Sequence, residues 1–532
     1  MSTEPRDRAL NLPLRRVKRP PGGRPSVNLI DLIVDLDEAS DWPGLQALVE
    51  SRIGQIHDIV FGCLRLLRLK RLDGACLIAR LLKGRAFNPA LGLAQALGGI
   101  KAGDVAELNA GRVHLRATID RLPADLQRQF YFELEPLIYN LIGNAFKHPN
   151  GDGTVRALTG ILTDMTPPLR TVFDVAARRE DIDLGKLRGF GAGRSRLRHF
   201  AMPQTRTPPR TGIVALRARF FPQDPASRPF EIGALIAAAM TGYGWTGINH
   251  GMEWDKKLAT DLPRLVEACR RHRPDVLVMD EQVVEIDQIR EDRAEALAQL
   301  RRELPALKVV GLYLDPWSIR HDALKAAARD VDLVWTFAPD LPVWREPEFA
   351  GKTLLAPLPY PPVAESEVSP LRPTLTFHGS VLTYNWLRWP WLTAFKTEAL
   401  PVTMGLIEHK TDGLDPVDSF SAYLKGLARA GSVLNFGMRS DLRVATTGRT
   451  FEVLASGALL VQEAADELDN YLIAGEHYLP FTTFADLRAI IAFLQSEPEQ
   501  ANEIRRRGSA FFRQTYAPER IIGAMDAMLF PR

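Results

Sequence analysis

Short apolar strands alternate with helices throughout residues 211–532, and this alternation restricts the fold more than any other feature of the sequence. Apolar strands that are separated by helices are typical of a parallel sheet covered on both faces. A proline-rich segment at 357–362 (PLPYPP) divides the strands into two runs. The predicted strands span 213–218, 275–280, 308–314, 331–337 and 353–358 in the first run, and 374–377, 401–406, 432–436, 459–462 and 477–481 in the second. The pattern therefore predicts an α/β protein with two parallel sheets that enclose a cleft, one at 211–360 and one at 361–532.

Residues 1–210 have a different character. Residues 1–26 are basic and rich in Pro and Gly, which predicts a flexible leader whose Arg and Lys side chains could contact an acidic partner or a membrane surface. Residues 27–185 carry apolar side chains at helical spacing, most clearly in 53–67 and 127–147, and predict an all-α domain. Residues 186–210 are again basic and predict a linker.

Composition excludes several classes of protein. The charges nearly cancel, with 67 Lys and Arg against 64 Asp and Glu, whereas a protein that coats nucleic acid is usually more basic. No apolar stretch is long enough for a transmembrane helix, and no secretory signal is visible, so we expect a cytoplasmic protein, with peripheral attachment to the inner membrane as a variant. The three cysteines, Cys63, Cys76 and Cys269, form no CxxC pair, and the two early ones, Cys63 and Cys76, are expected to be core residues.

One segment carries a family resemblance. Residues 449–461 (RTFEVLASGALLV) combine an arginine, a Phe-Glu pair, a run of small residues, a glycine and a strand. FHGS at 377–380 precedes this segment, and Glu-Leu at 467–468 and Gly-Glu at 475–476 follow it. These features resemble GT-B fold glycosyltransferases of the CgeB-like, glycosyltransferase group 1-like family. The resemblance implies that the C-terminal domain binds a nucleotide-sugar donor and that the N-terminal Rossmann-like domain binds the acceptor.

The chemistry of the segment agrees with that implication. A carboxylate accepts hydroxyl protons well, so Glu452 can hold the ribose, and the planar guanidinium of Arg449 pairs well with diphosphate oxygens. The resemblance places Phe451 in the same donor-binding segment, together with Gly457, which lets the helix end approach the next strand. The alternative is that Arg449 and Glu452 form an ordinary i,i+3 surface ion pair.

Two strand-end loops supply further donor-binding candidates. Arg439 and Arg443 follow the predicted strand 432–436, where a cation could bind the diphosphate, although either could instead form a surface ion pair. The turn after strand 374–377 contains His378, Gly379 and Ser380. Gly379 would allow backbone amides to approach a phosphate, and His378 either contacts the sugar or fills space.

The catalytic base is less clearly marked. Transfer to a hydroxyl with inversion needs a general base, and the candidates are Asp315, which follows strand 308–314, and His250, which lies in the Gly-rich loop 244–251, with Asp280 as a third. Each could equally cap a helix or turn. Many retaining GT-B enzymes carry a glutamate eight positions before the residue that matches Glu452, but Val444 stands there. The stereochemical outcome is therefore open.

The sequence thus predicts a glycosyltransferase of the hexosyltransferase type that moves a sugar from a nucleotide-sugar donor to a protein, lipid or polysaccharide hydroxyl. We expect no metal and no cofactor apart from the donor substrate, and no nucleic acid partner. The helical domain could dock a protein. The alternatives are a catalytically silent GT-B module whose helical domain binds a partner, and a GT-B nucleotide-sugar epimerase.

Overall fold

The computed structural model describes most of the chain, which divides into two compact units, Met1–Pro167 and Pro168–Arg532. The described residues are 28–146, 152–167, 209–216, 232–250, 261–280, 287–314, 316, 321–339, 341–349, 351–379, 388, 391–392, 395, 399–405, 416–437 and 444–531. The predicted leader, 1–26, and most of the predicted linker, 186–210, lie outside this range.

The described part of the first unit is all-helical. It contains eight α-helices: α1 (Leu29–Glu38), α2 (Trp42–Ser51), α3 (Ile56–Arg68), α4 (Leu72–Leu81), α5 (Pro89–Ala102), α6 (Val105–Ile119), α7 (Ala124–Phe146) and α8 (Asp152–Met165). The helices predicted over 53–67 and 127–147 are confirmed as α3 and α7. Several helices begin at an Asn or Asp whose side chain accepts a backbone N–H; these residues are Asn28, Asp41, Asn88 and Asp104.

Helices α5 and α6 pack with their backbones in contact. A Cβ atom placed on Gly92 of α5 would lie 2.5 Å from the backbone nitrogen of Leu115 in α6, and one on Gly111 of α6 would collide with the backbone of Ala96. Only glycine fits at these positions. Cys63 and Cys76 are buried in the same unit, as predicted, and burial raises the pKa of the Cys76 thiol to about 11.

The first sheet of the second unit has six parallel strands in the order β2-β1-β3-β4-β5-β6. The strands are β1 (Thr211–Ala215), β2 (Thr246–Asn249), β3 (Val276–Asp280), β4 (Lys308–Tyr313), β5 (Leu333–Thr336) and β6 (Thr353–Leu355). The accompanying helices are α9 (Ile232–Tyr243), α10 (Asp261–His272), α11 (Asp287–Glu303) and α12 (His321–Arg329).

The prediction of a loop over 244–251 is wrong, because β2 lies within it. This edge strand is partly exposed and lacks the apolar run that marks a buried strand.

The second sheet has five parallel strands in the order β11-β10-β9-β7-β8. The strands are β7 (Leu375–His378), β8 (Val402–Gly405), β9 (Ser432–Asn435), β10 (Leu459–Glu463) and β11 (Leu479–Phe481). The helices are α13 (Pro416–Ala430), α14 (Gly448–Ser456), α15 (Phe484–Ser496), α16 (Pro498–Thr515) and α17 (Pro518–Leu529). The sequence of 466–473 predicts a helix between β10 and β11, but the structure has a shorter 3-10 turn there, at Asp466–Asn470. Helix α17 is not among the helices predicted from the sequence. The two sheets and the helical unit confirm the predicted fold class.

The two sheets share one apolar core within the second unit. The rings of Phe337, just after β5, and Phe451, in α14, have centroids 6.4 Å apart. The last helix, α17, packs against α9 of the first sheet. There the fully buried Asp526 accepts hydrogen bonds from Arg210 Nε at 3.1 Å and from the Tyr243 hydroxyl at 3.3 Å. The end of the chain is therefore tied to the first strand of the opposite sheet.

The α5–α6 contact gives a stability prediction. Gly111→Ala should lower the free energy of unfolding by about 1–3 kcal/mol, because the added methyl group overpacks a backbone contact. Urea unfolding followed by far-UV circular dichroism measures the loss. Gly153→Ala in α8 is the matched control: a Cβ there meets nothing within 4 Å, so this change should leave stability equal or slightly higher. Equal effects of the two substitutions would contradict the packing described here.

Candidate functional site

The strand order of the second sheet reverses at one point. The chain runs from β7 to β8 on one side of β7, and then places β9, β10 and β11 on the other side. Open α/β sheets bind ligands outside the carboxyl ends of the strands at such a switch point. Here the switch point lies between the end of β7 at His378 and the end of β9 at Asn435.

Helix α14 begins beside this switch point, and a buried polar network holds its start in place. The Asn435 side-chain amide donates to the Thr447 hydroxyl at 2.9 Å, and also to Gln462 Oε1 at 2.6 Å. The Thr450 hydroxyl donates to the same Gln462 oxygen at 2.9 Å. Thr447 is the N-cap residue of α14, yet its hydroxyl makes no capping bond to the helix. The first-turn amides of α14 are therefore a suitable site for an anion.

Three polar side chains meet on the first turn of α14. Glu452 Oε2 accepts a hydrogen bond from Arg449 Nε at 2.8 Å and another from the Tyr423 hydroxyl at 2.7 Å. Arg449 Nη1 donates to the backbone oxygen of His378 at the end of β7. The side chains of Arg449 and Glu452 are only 20% and 14% exposed. The predicted surface ion pair therefore exists as an i,i+3 contact, but it is enclosed by β7 and α13 and is not a solvated surface pair.

The enclosure fixes the charges of this group. Burial, reinforced by the Glu452 carboxylate, raises the pKa of Tyr423 well above its ordinary value. Tyr423 therefore stays a neutral phenol whose hydroxyl donates a hydrogen bond to Glu452. Burial opposes the charge of Arg449, but Tyr423 and Glu452 outweigh it and raise the pKa of Arg449. Burial and the nearby Arg449 lower the pKa of His378, which is therefore neutral near pH 7.

A second arginine lies close to this group. The guanidinium carbon of Arg388 is 5.6 Å from the centre of the Phe377 ring in β7. Burial, followed by repulsion from Arg449, lowers the pKa of Arg388 to about 10, while the buried Glu463 opposes that shift. The guanidinium groups of Arg449 and Arg388 therefore both lie near the end of β7, where each can donate charge-assisted hydrogen bonds to an anionic ligand.

The structure brings together part of the predicted site. His378 ends β7 and Gly379 follows it, and Arg449 and Glu452 lie beside this strand end on α14. His250 belongs to the first sheet, where it follows β2 and its backbone N–H donates to Val214 O at 2.8 Å. The remaining candidates lie outside the described residues; they are Asp315, Ser380, Arg439 and Arg443.

Two predicted donor-binding residues have structural roles instead. Phe451 has no exposed surface, and its ring contacts those of Phe337, Tyr471 and Tyr516 in the shared core, so its side chain is not available to a donor. Gly457 is the residue that ends α14, with φ of 78°, a left-handed conformation that favours glycine. It lies at the opposite end of the helix from Arg449, roughly 12 Å away at 1.5 Å per residue.

Tyr423 was not predicted. It lies on α13, 29 residues before Glu452, in a helix whose sequence carries no recognisable motif. A helical position facing β7 and β9 could have been inferred for it only after the order of the strands was known. Within the described part of the chain, no three His, Cys, Asp or Glu side chains are arranged to hold a metal ion.

The part of the chain that contains this site is similar to a known family. Residues 368–527, which span the second sheet and its helices up to α17, match the model of the Glycosyl transferase-like family. A search of curated proteins finds no match. Among the described helices, none has both the length and the apolar character to cross a membrane.

Several solved structures are similar to the chain at low identity. Anabaena HepE in complex with UDP and glucose is 13% identical, over 58% of this chain and 96% of its own, with a TM-score of 0.38. Sucrose-phosphate synthase from Thermosynechococcus elongatus is 13% identical, over 60% and 97%, with a TM-score of 0.40. A variant of the Thermobaculum terrenum O-GlcNAc transferase is 11% identical, over 90% and 97%, with a TM-score of 0.35.

The role of Phe451 gives a prediction that separates packing from binding. Phe451→Ala should lower the free energy of unfolding by about 3–5 kcal/mol, because it removes a fully buried ring and leaves a cavity. Phe451→Leu should cost less, since it refills most of the space. Chemical denaturation of both variants measures the difference. If both variants were as stable as the wild type and lost only ligand binding, Phe451 would belong to the binding surface after all.

Proposed function

We propose that this chain is a glycosyltransferase that moves a sugar from a nucleotide-sugar donor to an acceptor hydroxyl, with the donor bound at the switch point of the second sheet. The observation that carries the proposal is the enclosed group of Glu452, Arg449 and Tyr423 at the start of α14. The match of residues 368–527 to the Glycosyl transferase-like family supports it, because that segment contains the whole group.

We assign groups of this site to two parts of a nucleotide sugar, the ribose and the diphosphate. The two hydrogen bonds that the described residues make to the Glu452 carboxylate both end on Oε2. Oε1 is the oxygen that we assign to a ribose hydroxyl. We assign the diphosphate to the first-turn amides of α14 and to Arg449, whose two bonds within the described residues use Nε and Nη1 and not Nη2. Arg439 and Arg443 remain candidates for the same phosphates.

The proposed reaction is a displacement at the anomeric carbon of the donor sugar. The acceptor oxygen forms a new bond to that carbon, the bond between the carbon and the diphosphate oxygen breaks, and a nucleoside diphosphate leaves. The charge that develops on the leaving diphosphate is stabilised by the guanidinium groups and the helix N-terminus. We propose Asp315, which follows β4 in the sequence, or His250, which follows β2, as the base that takes the acceptor proton. The proposed acceptors are protein, lipid or polysaccharide hydroxyls, and the helical unit is a candidate docking surface for a protein.

A donor-binding module without transfer activity is the second candidate. Val444, which is half-buried, stands where many retaining enzymes of this fold carry a glutamate. An apolar side chain there supplies no polar contact to a transferred sugar. Binding without turnover would be the expected behaviour of such a module.

A nucleotide panel tests the proposal. UDP, GDP, ADP and CDP, and their common sugar conjugates, are screened by thermal shift; a ligand at 100 times its dissociation constant stabilises by about 2.7 kcal/mol. The best sugar conjugate is then assayed for release of nucleoside diphosphate with and without candidate acceptors. Release that depends on Glu452 supports transfer or hydrolysis. Binding without release favours the module, and a chain that binds no member of the panel contradicts both.

The Arg449 assignment gives a two-by-two prediction. Arg449→Lys keeps the charge but loses the planar guanidinium. It should therefore weaken binding of the nucleoside diphosphate more than binding of the nucleoside, which has no phosphate. Glu452→Ala should weaken both ligands, because both carry ribose. Isothermal titration calorimetry measures the four affinities. If Arg449→Lys lowered the affinity for both ligands equally, Arg449 would only stabilise the start of α14, and the diphosphate would be assigned to Arg439 or Arg443 instead.

A further inference from the structure

We propose that Tyr423 is a positioning residue for Glu452, and that its hydroxyl makes the carboxylate selective for a ligand with ribose hydroxyls. This inference rests on the proposed function, since it concerns how the same site recognises its donor. It adds a residue from α13 that neither the sequence motif nor the family match singles out.

The contact geometry shows why Glu452 needs such a partner. The terminal torsion of a glutamate side chain is broad, so a carboxylate held by one bond can still turn about its axis. Here Arg449 Nε at 2.8 Å and the Tyr423 hydroxyl at 2.7 Å both donate to Oε2. Two donors from different helices, α14 and α13, fix the position of that oxygen. The position of Oε1 follows, because the carboxylate is rigid and planar.

Tyr423 is itself held on several sides. Its ring lies 5.5 Å from that of Phe420, one turn earlier on α13, and the guanidinium carbon of Arg449 is 5.3 Å from the ring centre. The half-buried phenol keeps its proton because desolvation raises its pKa, and its hydroxyl donates a hydrogen bond to Glu452 Oε2. The hydroxyl is thus placed by the packing of α13 and does not depend on the ligand.

The two oxygens of the Glu452 carboxylate therefore have different functions in recognition. Oε2 is occupied by protein donors, and Oε1 is presented to the ligand. The two oxygens are chemically equivalent, so a half-turn would change nothing, but a carboxylate that turned to intermediate angles would direct neither oxygen at the ligand hydroxyl and would accept it less well. Loss of the Tyr423 hydroxyl should therefore reduce the preference for a ribose over a sugar that lacks its hydroxyls, and not merely reduce binding in general.

The experiment compares two ligands on matched variants. The probes are the tightest-binding member of UDP, GDP, ADP and CDP, and its 2′,3′-dideoxy analogue, measured by calorimetry on the full chain. Tyr423→Phe removes only the hydroxyl and keeps the ring. We expect it to lower the affinity for the nucleoside diphosphate about tenfold, which is the order expected for loss of a hydrogen bond to a charged group. The affinity for the dideoxy analogue should not change. In Glu452→Ala the two ligands should bind about equally, and adding Tyr423→Phe to that variant should change neither.

Tyr516→Phe is the matched control. The buried Tyr516 hydroxyl donates to Tyr471 O at 3.1 Å in the shared core, so its loss removes a comparable hydrogen bond away from Glu452. It should change stability without changing the ratio of the two affinities. Thermal unfolding of each variant accounts for any general loss of structure.

Each outcome decides between the two proposals. If the wild type prefers the ribose ligand and Tyr423→Phe keeps the full preference, or weakens both ligands equally, the positioning role is overturned while the donor site stands. If the wild type binds both ligands equally, the assignment of Glu452 to ribose fails, and the role of Tyr423 fails with it. A loss of preference in Tyr423→Phe, but not in Tyr516→Phe, supports the inference.

Discussion

The enclosed ion pair between Arg449 and Glu452 is the interaction on which the site depends. Removing two charges from water costs several kcal/mol each, and their mutual attraction compensates only where further hydrogen bonds satisfy the remaining polar atoms. Those bonds come from the Tyr423 hydroxyl and the His378 backbone oxygen. The pair can therefore exist only where β7, α13 and α14 meet, and it ties these three elements together at the edge where a ligand would enter.

The positions of these elements follow from sheet topology. In both sheets the first strand lies between the second and the third, so each sheet has a switch point next to its first strand. In the second sheet a buried network of side-chain amides and hydroxyls holds the start of α14 against β9 and β10. The helix N-terminus and the enclosed carboxylate, to which we assign the diphosphate and the ribose, thus lie in one turn of helix.

The tie between the two sheets limits how independent they can be. Their strands and helices contribute to one apolar core, and α17 carries the buried Asp526 back to Arg210 at the start of β1. The Asp526 carboxylate has no exposed surface, and an unpaired buried charge costs several kcal/mol. Separating the two sheets would remove its partners, so this contact holds the sheets together. The boundary predicted at 360 therefore separates two sheets of the chain but does not separate two independent cores.

The sequence by itself determined the class of fold and the segment that carries the site. Strand and helix periodicity reflects which faces are buried, so it identified ten of the strands and the principal helices, and the spacing of Arg449 and Glu452 placed both on one turn. It missed β2, whose edge position removes the apolar run, and α17, whose partner α9 lies almost three hundred residues earlier in the chain. Only the tertiary structure decided that Phe451 is part of the core and that Tyr423 contacts Glu452 from 29 residues earlier in the chain. Contacts of that kind depend on the order of strands in a sheet, which local sequence does not encode.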